Sequence, residues 1–198
     1  APLERGLARW PRLWALLNAR SRAPASSALT KAAEPESDPQ YRAVIVGYGP
    51  VGRTVARLFR KQGIEPAIIE MNLTTVQELR AAGVKAFYGD AALRATLEQA
   101  GVGAAGTFVI SVSGLAGAEE VIRLAREINP LIHILARTRY LTDIPTLRQA
   151  GADGVFSGEG EVGLAMTEYV LTDLGATPDQ IDRERAQVHD DLFAAEAL

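Results

Sequence analysis

Cysteine is absent from all 198 residues, which excludes disulfide frameworks, thiolate metal sites and cysteine nucleophiles, and which a cytosolic compartment permits. Histidine is nearly as scarce. His133 falls within an apolar strand pattern and His189 within the terminal helix, so neither joins a cluster of the kind that holds zinc or iron. Although 47% of the residues are apolar, no apolar run approaches the ~18 residues of a membrane span, and the first residues lack the continuous apolar core of a signal peptide. An excess of positive charge is missing too. The formal net charge is −3, and it is unevenly spread: residues 1–40 hold six Lys/Arg against four Asp/Glu (+2), residues 41–198 fifteen against twenty (−5). An acidic globule has no electrostatic footprint for DNA or RNA, so nucleic acid is excluded as a partner.

What is present is concentrated between Arg42 and Glu70. An apolar strand, Val44-Ile45-Val46, runs into Gly47-Tyr48-Gly49-Pro50-Val51-Gly52, and a second strand then ends on Glu70. A phosphate must come within hydrogen-bond reach of backbone N–H groups at a helix N-terminus. Gly47 therefore permits the tight turn, Gly49 removes a Cβ from the phosphate's path, and Gly52 lets helix and strand approach. Pro50 suits the first helical turn, where its missing N–H costs little. Val51, Val55, Leu58 and Phe59 are expected on one apolar face of the helix that follows. Glu70, eighteen positions beyond Gly52, is placed to accept ribose hydroxyls and to repel a 2′-phosphate, which favours NAD or an adenosine nucleotide over NADP. The alternative is a purely structural glycine turn in a degenerate domain of the same type.

The chain divides into four stretches. In residues 1–20, Leu3, Leu7, Trp10, Leu13, Trp14 and Leu17 approximate one helical stripe interleaved with arginines, and Ala1 is not a natural start. This reads as a juxtamembrane amphipathic segment of a longer chain, against an ordinary amphipathic helix packed on the globule. Residues 21–40, rich in Ser, Ala, Pro and charge, read as a linker. Residues 41–175 alternate strands near 42–46, 66–70, 84–88, 107–112, 131–137 and 154–156 with helices near 50–61, 73–82, 91–100, 116–128, 141–150 and 160–174. Gly63, Gly83, Gly101 and Gly151 stand where helices should stop. The fold class is α/β, a Rossmann-like doubly wound parallel sheet of six strands with an N-terminal helical leader and C-terminal helices. Residues 176–198 should form a last helix, with Thr177 at its N-cap, Pro178 first and Gln180 third.

Four motifs carry a resemblance: Val-Ile-Val-Gly-Tyr-Gly-Pro-Val-Gly-Arg (44–53), Tyr-Gly-Asp-Ala (88–91), Ile-Leu-Ala-Arg (134–137) and Leu-Arg-Gln-Ala-Gly-Ala-Asp (147–153). In this order and spacing the chain resembles, over 41–175, the nucleotide-binding regulatory domains of potassium transport called KTN, TrkA-N or RCK domains. The form at the C-terminus of Kef-type monovalent cation:proton antiporters is the nearer match. The resemblance implies a homodimeric sensor on the cytoplasmic face of the cell membrane that binds AMP or NAD(H) and gates ion flux in a membrane transport domain of the same chain. Carried over position by position, it implies nucleotide contacts from Gly47, Tyr48, Gly49, Pro50, Val51, Gly52 and Arg53, from Glu70 and Met71, from Asp90 and Ala91, and from Ser111 and Arg137. Each also has a plainer reading: Asp90 as a helix cap, Arg53 as a solvated arginine, Ser111 as part of a surface turn, and Arg137 as the partner of Glu159 or Glu161. The chain departs from the family pattern at Ser-Val-Ser-Gly-Leu-Ala-Gly-Ala-Glu-Glu (111–120), where many members carry an Asp-rich turn and an asparagine, so a mononucleotide such as AMP suits the site better than a full dinucleotide.

Rival functions share the fold. A dehydrogenase needs a substrate pocket and a proton donor beside the nicotinamide, and the sequence offers no evident candidate for either, so the chain is not expected to be an enzyme. A methyltransferase is the weaker enzyme alternative, and a free-standing subunit of a potassium uptake system is the nearest rival. The basic tryptophan leader favours a fused domain. Helix 160–174 presents Val162, Ala165, Met166, Tyr169 and Val170 either to its own domain or to a second subunit across a two-fold interface.

Overall fold

The computed structural model describes residues 41–194. The expected juxtamembrane segment and linker, and the last four positions of the terminal segment, lie outside the described residues. Strands and helices alternate: β1 (Arg42–Val46), α1 (Pro50–Lys61), β2 (Glu65–Glu70), α2 (Leu73–Ala81), β3 (Ala86–Tyr88), α3 (Arg94–Gln99), β4 (Thr107–Ile110), α4 (Ala118–Ile128), β5 (His133–Thr138), α5 (Ile144–Gln149), β6 (Gly154–Ser157), α6 (Gly158–Asp173) and α7 (Pro178–Ala194). All strand pairs are parallel, in the order β3-β2-β1-β4-β5-β6. The chain thus winds outward from β1, returns to β4 beside it, and winds outward the other way. Loops leaving the carboxyl ends of β1 and β4 diverge, and the crevice between them is where open α/β sheets hold ligands.

Side-chain alternation along the strands builds two core layers. Val44, Val46, Ile69, Phe108, Ile110 and Ile134 face Leu97, Val121, Ile122 and Leu147 of α3, α4 and α5. Ile45, Ile68 and Val109 face Ala56, Val76 and Leu79 of α1 and α2. β1 and β4 are buried on both faces, as parallel strands between helices should be. In β5 and β6 burial alternates instead, with Ile134, Ala136 and Thr138 buried and His133, Leu135 and Arg137 half-buried. One face of that end of the sheet is therefore only partly covered.

Several expected details are corrected. The inward face of α1 is Gly52 and Ala56, flanked by half-buried Val55 and Phe59, whereas Val51 and Leu58 face solvent. The smallest residues lie nearest the sheet because they let the helix axis approach it. β3 starts at Ala86 rather than 84, since the Val84 N–H bonds the Leu79 carbonyl at 2.9 Å and closes the end of α2 around Gly83 at φ +77°. β5 starts at His133 rather than 131, because the Asn129 side chain accepts the Leu131 N–H and turns the chain first. β4 ends at Ile110, which leaves Ser111 and Val112 to the crevice. α5 is preceded by a 3-10 turn, Leu141–Asp143, within the expected single helix 141–150. The last helix starts as expected: the Thr177 N–H donates to Gln180 Oε1 at 2.8 Å and Thr177 Oγ1 accepts the Gln180 N–H at 3.4 Å.

Candidate functional site

The turn from β1 to α1 is held from three sides. Gly47, at φ +87°, donates its N–H to the Ile69 carbonyl at 2.8 Å. Ser111 Oγ, buried, lies 3.1 Å from the Gly47 carbonyl and 2.9 Å from that of Val46, and shares its proton between them. The Tyr48 N–H donates to Glu70 Oε2 at 2.8 Å. Close approach explains two of the glycines. A Cβ on Gly52 would sit 2.2 Å from the Gly47 carbonyl oxygen, and one on Gly47 would sit 2.3 Å from Val112 Cγ2. A Cβ on Gly49 would meet nothing within 4 Å, so the space in front of it is open.

That open space faces the start of α1, whose N-cap Gly49 makes no side-chain cap and whose first turn holds no acid. Among the described helices of eight residues or more, α1 alone begins in this way. Asn72 caps α2, Glu119 and Glu120 occupy the first turn of α4, Glu159 and Glu161 that of α6, and Asp179 that of α7. The unpaired first-turn N–H groups and the positive end of the helix dipole therefore favour an anion at α1 and are already compensated at the others.

The remaining candidates cluster along the same sheet edge. Glu70 closes β2 with its carboxylate on three backbone N–H groups, those of Tyr48 (2.8 Å), Met71 (2.8 Å) and Asn72 (2.9 Å). Met71 beside it is exposed, as is Tyr88 at the end of β3, while Ala91 is buried. Asp90 does not cap α3. Its Oδ1 accepts the Ala92 N–H at 2.9 Å in a local turn, which is why the helix begins at Arg94 and not at 91. Pro50 and Val51 are exposed on the first turn, and the Arg53 side chain points outward with no partner among the described residues. Tyr48 is half-buried against the core under α1.

Arg137 lies on the other side of the crevice. Its guanidinium reaches the Ser111 carbonyl at 3.5 Å and makes no ion pair among the described residues. The expected pairing with Glu159 or Glu161 is corrected: Glu159 Oε2 accepts the Leu141 N–H at 3.0 Å. Arg137 instead lines a cleft of about 270 Å³ with Gly114, Leu115, Glu119, Thr138 and Asp143, and Thr138 Oγ1 bonds Asp143 Oδ2 there. Sequence reading missed Glu119, Thr138 and Asp143. They come from three different elements, and no spacing in the chain announces that they meet.

The histidines are elsewhere. His133 opens β5 at the amino edge, with Nδ1 3.3 Å from Asp153 Oδ2, and His189 is exposed on α7. Asp153 ends the fourth motif. Burial raises its pKa, but the Ile134 N–H (2.7 Å), the Arg126 guanidinium (2.9 Å) and His133 outweigh that, so the carboxyl lies below its ordinary value of 3.8. Arg126 also ties the carbonyls of Pro130, Ile132 and Gly151, which makes this a fold-holding knot.

Comparison with known proteins agrees with this geometry. The model of the TrkA-N domain matches residues 43–158. The chain belongs to the TrkA-N family. Among curated proteins this TrkA-N chain is similar to KefB of Alkalimonas amylolytica, named as a K(+) efflux antiporter, at 31% identity over 73% of the chain and 22% of KefB. It is 33% identical over 66% of its length to YbaL of Escherichia coli (strain K12), named as a cation/proton antiporter, covering 23% of that protein. The chain thus spans less than a quarter of the length of these relatives. Among solved structures, the TrkA-N domain of YbaL matches with a TM-score of 0.63 and 32% identity, covering 65% of this chain and 96% of that one. The Shewanella denitrificans Kef CTD in AMP-bound form matches with a TM-score of 0.63 and 26% identity, covering 76% and 97%.

Proposed function

We propose that this TrkA-N domain binds an adenine nucleotide, AMP or NAD(H), and thereby regulates cation:proton antiport through a Kef-type membrane domain, acting from the cytoplasmic face of the membrane. The observation that carries the reading is the start of α1. It is uncapped and free of acids, Gly52 brings it against the Gly47 turn, and a carboxylate stands beside it on β2. A phosphate group matches the first and a ribose hydroxyl the last. The AMP-bound Kef CTD, 26% identical, supports this ligand class, and the likeness to KefB and YbaL supports the antiporter setting. AMP is the better matched of the two ligands, because Glu119 and Glu120 put negative charge in the first turn of α4, on the side a second phosphoribosyl group would approach.

The nucleotide acts as a ligand and not as a consumed cofactor. His133 opens β5 at the amino edge, away from the carboxyl-edge crevice where a nicotinamide would need a proton donor. No helix among the described residues is long and apolar enough to cross a membrane. The working unit is a homodimer built through α6, whose outward residues Val162, Met166, Tyr169 and Val170 are 52–74% exposed. Two arrangements of that interface, with different nucleotide affinity, bias the membrane domain.

Calorimetric titration with AMP, ADP, ATP, NAD and NADH tests the ligand. AMP should bind at micromolar to millimolar concentration, and absence of binding by all five at millimolar concentration removes the reading. Incubation with NADH and small carbonyl compounds should produce no steady oxidation; turnover would make the chain an oxidoreductase.

A further inference from the structure

We infer that Glu70 is a positioning residue for the phosphate turn, in addition to the ribose acceptor proposed above; the inference rests on the nucleotide reading for its consequence and on the hydrogen bonds for its cause. A carboxylate offers about four acceptor sites. Three are occupied: Oε1 takes the Met71 and Asn72 N–H groups at 2.8 and 2.9 Å, and Oε2 takes the Tyr48 N–H at 2.8 Å. One acceptor site remains for a ribose hydroxyl.

The Tyr48 bond is the informative one. It crosses from β2 to the middle of the glycine turn, joining residues 22 apart. The residue before it is already tied at both ends: the Gly47 N–H donates to the Ile69 carbonyl, and the Gly47 carbonyl, on the same peptide plane as the Tyr48 N–H, accepts from Ser111 Oγ. With Tyr48 fixed as well, the chain enters α1 along one path, and the first-turn N–H groups aim at one point in the open space before Gly49. Gly47, at φ +87°, lets the chain turn there, and Glu70 fixes the direction in which it leaves.

Replacement by the isosteric amide separates the two roles. Glutamine presents one carbonyl and one NH₂ group where the carboxylate presented two acceptors. The carbonyl is best used toward Met71 and Asn72, where it meets two donors. The NH₂ group then confronts the Tyr48 N–H, donor against donor. Glu70→Gln should therefore keep the end of β2 and release the phosphate turn. A residue that only accepts from ribose affects adenosine and AMP alike, whereas a residue that aims the turn lowers the affinity for AMP more than that for adenosine.

The test is calorimetric titration of the whole chain, wild type and E70Q, with adenosine and with AMP, together with amide hydrogen exchange read by NMR on the unliganded proteins. The expected result is a fall of about threefold to tenfold in the AMP-to-adenosine affinity ratio, from the loss of one aligning hydrogen bond. The Tyr48 amide should lose protection while those of Met71 and Asn72 keep theirs. An unchanged ratio, or equal Tyr48 protection in the two proteins, overturns the inference. Wild type that binds neither ligand defeats the nucleotide reading instead, and Tyr48 exchange then decides the positioning role alone. Should E70Q not fold, E70D, which keeps the charge and shortens the reach, is expected to give the same fall in ratio and the same loss at Tyr48.

Discussion

Gly52 shows how one absent methyl group can build a site. Its Cα faces the Gly47 carbonyl so closely that any Cβ would lie 2.2 Å from that oxygen and 2.7 Å from Ser111 Oγ. The nearer contact is with backbone, which no side-chain rotation relieves, so the helix itself must move. Gly52→Ala should destabilise the domain by about 1–3 kcal/mol and weaken AMP binding, because displacement of α1 carries its first-turn N–H groups with it. Urea unfolding paired with AMP titration checks both effects; retained stability with retained affinity would show that the turn has slack. Asp153 makes the complementary case for a side chain that holds the fold and touches no ligand. Its pKa is lowered by folding, so the ionised form contributes stability above the ordinary value of 3.8, and that contribution fades as the pH falls through the lower folded value. Asp153→Asn should be less stable than wild type near pH 7, with the gap closing below about pH 3.8. Urea melts across that range give the measurement, with nucleotide affinity at neutral pH expected to change little.

At the level of elements, α6 is the least finished part of the structure. Only Gly160 and Leu164 of its sixteen residues are buried, although it carries Val162, Met166, Tyr169 and Val170. It packs on β6 and on α7, to which Glu168 is joined by Arg185 at 3.4 Å, and its apolar remainder faces outward. One face of β5 is itself only half covered. These two incomplete surfaces motivate the dimer proposal, since a second copy would bury apolar area worth ~25 cal/mol per Å². Light scattering on the purified chain should report twice the monomer mass. Met166→Glu combined with Tyr169→Glu should give monomers that still bind AMP, because neither residue lies near the carboxyl edge of β1 and β2. A wild-type monomer at high micromolar concentration would remove the dimer and the gating scheme built on it.

For the whole molecule, the doubly wound topology fixes where binding can happen before any side chain is considered. Winding outward from β1 and then from β4 leaves one crevice at the carboxyl edge, and α1 beside it is, among the described helices of eight residues or more, the one without a cap or an acid. The opposite edge carries the Arg126–Asp153–His133 knot, which ties α4 to the strands. Under the nucleotide reading, one edge of the sheet is the ligand side and the other a structural seam.

Local chemistry is what the sequence alone determined. The strand–glycine–helix motif, the acid ending β2, the glycines ending helices and the Thr177 capping box are all set by neighbours a few residues apart, so they could be read from the chain and stand where expected. Tertiary structure decided which groups meet. Ser111 binding back to Gly47, Glu70 reaching Tyr48, and Glu119, Thr138 and Asp143 gathering beside Arg137 join segments brought together only by the parallel sheet. The inward face of α1 belongs to the same class, because an apolar stripe predicts that a helix packs but not that its two smallest residues come closest. Hydrogen-bond partners and close approach are set by distances in space, and a pattern along one chain does not encode them until β1 and β4 lie side by side.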